Sequence, residues 1–195
     1  MKNIIKLAGV AAVALALTQA VQATPIVGNI GFTGGVTFDT TSAANATEVT
    51  AWITPSVDLP PTGTFAGIAA GSPATFANVA WAFTTSTPIP AFWSVGGFSF
   101  ELLSSTLTTH GGTPGVNGYV VVNGTGTVSS TNSTLDSTSI SWSFTSQDPT
   151  IGSNPNTWTF SASANSVTVP DGGATVMLLG IALSGVALLK RKLKA

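Results

Sequence analysis

Ser139-Ile140-Ser141-Trp142-Ser143-Phe144 decides the fold. Apolar and hydroxyl side chains alternate with a period of two, so Ile140, Trp142 and Phe144 fall on one face of an extended chain and the serines on the other. A helix would scatter the same residues around its axis. The pattern recurs in Thr157-Trp158-Thr159-Phe160-Ser161-Ala162 and, with small residues on the far face, in Val79-Ala80-Trp81-Ala82-Phe83. Helical amphipathic patterning is missing between Thr24 and Val169. Further strands are expected at Ile26–Phe32, Val36–Phe38, Thr47–Ile53, Phe98–Leu103 and Gly118–Val128. Short strands punctuated by Gly, Pro, Asn and Ser predict an all-β body, an antiparallel β-sandwich or barrel.

The punctuation has its own chemistry. Gly34-Gly35 is expected to turn a hairpin between Phe32 and Val36. Leu59-Pro60-Pro61-Thr62-Gly63 and Pro88-Ile89-Pro90 are stiff connections that cannot donate fully to a ladder. His110-Gly111-Gly112-Thr113-Pro114-Gly115 reads as an exposed loop. Gln147 to Asn156 links the last two strands, and Ser161 to Val169 reads as a tether. The chain holds 10 Phe and 5 Trp, so aromatic burial is expected to dominate the core. Two rings stand out as candidate glycan contacts. Trp52 alternates onto the polar face with Glu48 and Thr50, and Trp93 follows Pro90-Ala91-Phe92 at a strand start.

Charge is partitioned. All six Lys and Arg residues lie at or before Lys6 or at or after Lys190, while all seven Asp and Glu lie between. The body is therefore purely anionic despite a net charge of −1. Nucleic acid is excluded as a direct partner, because no cation is available to displace counterions from phosphate. Internal salt bridges are excluded too, leaving apolar burial and backbone hydrogen bonds to hold the fold. With no cysteine there is neither a disulfide framework nor a thiol nucleophile.

No constellation for catalysis emerges. His110 is the single histidine and no Gly-x-Ser-x-Gly elbow accompanies it. A histidine metal site lacks a second imidazole. Glu48 and Glu101 read as solvated strand acids rather than a hydrolytic pair. Asp39, Asp58, Asp136 and Asp148 form no calcium-loop spacing. No catalytic residue, cofactor or metal is expected.

The two ends read as address labels. Met1-Lys2-Asn3-Ile4-Ile5-Lys6 is a basic leader start, Leu7 to Leu17 an apolar core, and Val21-Gln22-Ala23 a small-residue cleavage site. Residues 1–23 are thus an expected signal peptide helix, handled by the secretion translocon and signal peptidase and cut after Ala23. At the other end Val169-Pro170-Asp171-Gly172-Gly173 precedes an uncharged run, Ala174 to Leu189, and then Lys190-Arg191-Lys192-Leu193-Lys194-Ala195. The run has about the length of a short membrane-spanning helix, roughly 24 Å at 1.5 Å per residue. Lys190, Arg191, Lys192 and Lys194 would stay in the cytoplasm, placing the body outside. The expected organisation is a signal peptide (1–23), a β-rich extracytoplasmic domain (24–163), a linker with motif (164–173), a transmembrane helix (174–189) and a basic tail (190–195).

This ordered trio resembles the PEP-CTERM class of sorting signals, nearest its Val-Pro-Asp-Ser-Gly form. Val169, Pro170 and Asp171 match the Val-Pro-Glu/Asp core, and Gly172 stands where the named forms have Pro or Ser. The resemblance implies an exported substrate of an exosortase, a membrane-embedded cysteine protease that cuts near the motif. It further implies release to the cell surface or extracellular space, and association with exopolysaccharide or biofilm. A cell-surface carbohydrate-binding module is the alternative reading of the body.

Overall fold

The computed structural model of the protein describes residues 23–149, 158–166 and Lys190. The expected signal peptide helix, the sorting motif and the apolar run lie outside these residues. Among the described residues no helix is long and apolar enough to cross a membrane.

Among the described residues eleven strands form: β1 (Thr24–Pro25), β2 (Asn29–Phe38), β3 (Glu48–Val57), β4 (Thr75–Phe76), β5 (Trp81–Ala82), β6 (Ile89–Val95), β7 (Phe98–Gly111), β8 (Tyr119–Ser130), β9 (Leu135–Asp136), β10 (Thr138–Gln147) and β11 (Trp158–Ser166). Nine join in one sheet in the order β4-β6-β7-β8-β10-β11-β2-β3-β5, with β1 and β9 as a separate parallel pair. Neighbours in the large sheet are antiparallel throughout. The sheet curls into a half-barrel, so of the two architectures expected from the sequence it follows the barrel.

Short segments reach across the remaining gap. The outer edge of β3 bonds first to β5 and then to residues 71–74, through Val57 N–H to the Ser72 carbonyl (2.9 Å) and Ala74 N–H to the Pro55 carbonyl (3.0 Å). β4 follows at once and pairs with β6. Thr85 and Ser105 exchange backbone bonds of 3.0 and 2.9 Å, which ties the same connection to β7. The two-residue edge strands β4 and β5 expose little unpaired ladder, which limits edge-to-edge association.

Side-chain size alternates across the concave face. Trp142 has Gly124 and Ala164 as its cross-strand neighbours, and Phe160 has Ser146 and Gly34. Each large ring thereby gains room from a small neighbour, which is how a strongly curved sheet fills its interior without voids. Rings stack and abut across the core: Trp52 lies 4.3 Å from Phe76, Phe32 lies 5.0 Å from Trp93, and Trp81 lies 5.2 Å from Phe144. Burying such a side chain contributes roughly 2–3 kcal/mol over leaving it in water. The interior is thus filled with aromatic side chains.

Four sequence expectations are corrected here. Gly34-Gly35 turns no hairpin; β2 runs through it. Gly34 instead marks a close approach, since a Cβ there would sit 2.9 Å from the Pro55 Cα and 3.0 Å from the Phe160 ring. Ser161 to Ser166 is no tether but the paired second half of β11, with Ala162 and Ala164 buried. His110 belongs to β7, opposite Val120, and the loop begins only after Gly111. Phe92 and Trp93 are consecutive yet both buried, because the β6–β7 register shifts between Ile89 and Trp93 around Ala91, whose φ is 48°.

Candidate functional site

The sorting motif residues Val169, Pro170, Asp171, Gly172 and Gly173 lie outside the described residues, as do Val21, Arg191, Lys192 and Lys194. Lys190 is exposed. The fold does describe how the body meets both tails. Ala23 is half-buried and directly precedes β1, whose Thr24 N–H donates to the Thr134 carbonyl at 2.9 Å. Ile26 N–H then reaches the Thr138 hydroxyl at 2.8 Å.

At the far end of the sequence Ser166 closes β11 against the same region. Its N–H donates to the Gly28 carbonyl at 3.1 Å, and its hydroxyl accepts from Gly28 N–H at 2.7 Å. Gly28 must be glycine. Its φ is 134°, and a Cβ would collide with the backbone of Thr62. Gly63, at φ 62°, abuts Val27 and Gly28 from the other side. The start and end of the body are therefore fastened at one end of the half-barrel.

The candidate glycan contacts are not surface rings. Trp93 is 0% exposed. Trp52 is only partly exposed and packs against Phe76, Trp81 and Phe160. The cause is a bulge: Thr37 pairs with Ala51 but Phe38 with Val49, leaving Thr50 as an extra residue. One extra residue inverts the alternation, so Trp52 shares the inward face with Val49. Neither ring is presented for sugar stacking. Among the described residues the Nε1–H groups of Trp52, Trp93 and Trp142 are buried without a hydrogen-bond partner, whereas Trp81 Nε1–H reaches the buried Ser105 hydroxyl at 3.1 Å.

The most organised polar feature is Asp148, just past β10. One carboxylate oxygen accepts from the Ser42 hydroxyl (2.7 Å), Gly115 N–H (2.7 Å) and Gly118 N–H (3.2 Å). The other accepts from Ala43 N–H (2.7 Å) and Trp158 Nε1–H (3.2 Å). Burial alone would raise its pKa. The hydrogen bonds from Ser42, Ala43, Gly115 and Trp158 outweigh burial and hold the carboxyl below its ordinary value. Asp39 is similar on a smaller scale: its oxygens accept from Thr47 N–H, the Thr47 hydroxyl and Glu48 N–H, closing the turn from β2 to β3, and its pKa is lowered against the opposing effect of burial. Both acids are committed to loops. Among the described residues no group of three or more His, Asp or Glu side chains gathers that could hold a metal ion.

The convex face is mostly hydroxyls and amides, with Glu101 opposite Thr127. Ser104, Thr125, Ser141, Asn165 and Asn29 form one row across five strands, and Thr106, Asn123, Ser143 and Ser163 the next. A shallow groove of about 460 Å³ opens along these rows over Gly124. Periodicity alone foretold the polar face, but not which residues lie side by side.

Residues 168–193 match the family model of the VPDSG-CTERM motif. No curated protein and no solved structure matches the chain. The chain thus carries a PEP-CTERM-type sorting signal over these residues.

Proposed function

We propose that this is a non-catalytic structural protein of the cell surface or the exopolysaccharide-rich matrix, exported, held in the inner membrane by its tail and processed there. Residues 1–23 direct export, Val169, Pro170 and Asp171 present the cut site, Ala174–Leu189 spans the bilayer, and Lys190, Arg191, Lys192 and Lys194 fix orientation. The observation that carries this reading is the matched signal at residues 168–193, directly following the last strand of a β body. In that body the two best-bonded carboxylates, Asp39 and Asp148, serve loop closure. Intact mass of the mature protein, from cells with and without the processing protease, tests it. A chain beginning at Thr24 and ending near Asp171 supports the reading; a C-terminus still at Ala195 in both strains overturns processing.

The convex groove favours a second reading, a glycan-binding surface. A groove lined by Ser, Thr and Asn side chains, with no charged side chain in its lining, hydrogen-bonds neutral sugar hydroxyls. A glycan array decides: binding lost in Asn123→Ala or Ser141→Ala supports the groove, and no binding to any glycan leaves only the structural reading.

A further inference from the structure

The body and the sorting motif have almost no chain between them. Ser166 is pinned to Gly28, and only Val167 and Thr168 precede Val169. Three Cα–Cα steps reach at most about 11 Å whatever their conformation. The apolar run begins at Ala174, eight residues past Ser166, at most about 28 Å of chain. A protease that grips the residues around Val169-Pro170-Asp171 therefore works within a few side-chain widths of the barrel end.

That end carries an exposed apolar side chain, Leu59. Asp58 N–H bonds to the Gly31 carbonyl at 3.0 Å and Thr62 N–H to the Asn29 carbonyl at 2.9 Å, so the 58–62 loop lies along the start of β2. The other side of that stretch of β2 carries the end of β11, where Asn165 faces Asn29. Leu59, in this loop, is 70% exposed, more than any other large apolar side chain among the described residues. Pro60 beside it is also exposed. A lone apolar residue in a stiff Pro-Pro loop loses little entropy on contact.

We propose that this end of the half-barrel, with Leu59 at its rim, is a docking surface for the exosortase-type protease that cuts the tail; this rests on the processing reading above. Charge favours protein over lipid as the occupant. Asp58 and Asp136 are exposed at this end, and residues 23–166 contain no Lys or Arg, so an anionic bilayer surface repels it.

The test uses the full chain in cells with the protease. Leu59→Asp, at a side chain that supports no core, is expected to slow tail removal about tenfold, as loss of an interface anchor does. Equal melting of wild type and variant checks the fold. A photo-crosslinker at position 59 is expected to join the chain to a protease whose catalytic cysteine is replaced. One at Tyr119, at the opposite end of the sheet, is expected to give no such adduct. Wild-type cutting speed in Leu59→Asp, or an adduct at 59 with lipid only or with nothing, overturns the docking surface while leaving processing intact. A wild-type chain left uncut beside active protease overturns the processing reading, and the docking surface with it.

Discussion

Replacing Asp148 by Asn tests whether one carboxylate holds three distant segments together. The substitution preserves shape and removes charge. The carboxylate accepts five hydrogen bonds, three on one oxygen and two on the other. An amide has one acceptor oxygen, so in either orientation its NH2 faces donors. If the NH2 points to the paired side, Ala43 N–H and Trp158 Nε1–H lose their acceptor. If it points to the other side, Gly115 and Gly118 N–H lose theirs, while Ser42 can rotate its hydroxyl to accept. Two donors are orphaned each way. A buried orphan costs about 1–3 kcal/mol, but the site is half-exposed and water replaces part of each bond, so about 2–3 kcal/mol in total is expected. For a body of this size that lowers Tm by roughly 6–10 °C at pH 7. The pH dependence supplies the control. The folded-state pKa of Asp148 is depressed, so its contribution is complete above the unfolded value near 4 and disappears as pH falls through the folded value. The gap between wild type and variant must therefore narrow below about pH 4. Asp39 titrates in both proteins and cancels. Thermal denaturation followed by near-UV circular dichroism across pH 3 to 7 reads this out. Equal melting at pH 7, or a gap that persists unchanged in acid, would refute the reasoning.

Three further outcomes follow from the packing and one from the charge. Gly126→Ala should destabilise by more than about 3 kcal/mol or abolish folding, since the new Cβ would collide with the Glu101 carbonyl and the Phe100 ring. Gly67→Ala, with open space around it, should melt within about 1 °C of wild type. Ser105→Ala should cost about 1–3 kcal/mol in chemical denaturation by stranding the buried Trp81 N–H, and Ser105→Thr should recover part of the loss. Raising NaCl from about 20 mM to about 0.5 M should not lower Tm, because a body without cations has no internal ion pairs to screen; a marked fall would contradict the charge reading.

Strand identity was legible wherever alternation is unbroken. The Trp142 and Trp158 segments are strands with their rings inward, as the spacing demands. What the sequence hid were the bulges. Thr50, Ala91 and Leu103 carry no composition signal, yet each sits at a register shift that re-aims its neighbours, and the misread surface roles of Trp52 and Trp93 trace to the first two. Asp148 was visible as an acid in a turn, but its partners lie as far as 106 residues away in sequence. The match at residues 168–193 was legible because a sorting signal is written in local sequence, whereas loop closure depends on contacts that only folding creates.

The position of β11 has a temporal consequence. The last strand of the body lies between β10 and β2, in the middle of the sheet, so β2 and β10 cannot be joined through the sheet until residue 166 is available. In a chain exported N-terminus first, the Ala174–Leu189 run is by then only eight residues behind. Under the proposed export, the sheet would be completed late, as the apolar segment reaches the translocation channel. On that reading, assembly of the body and arrest of its passage would be nearly simultaneous.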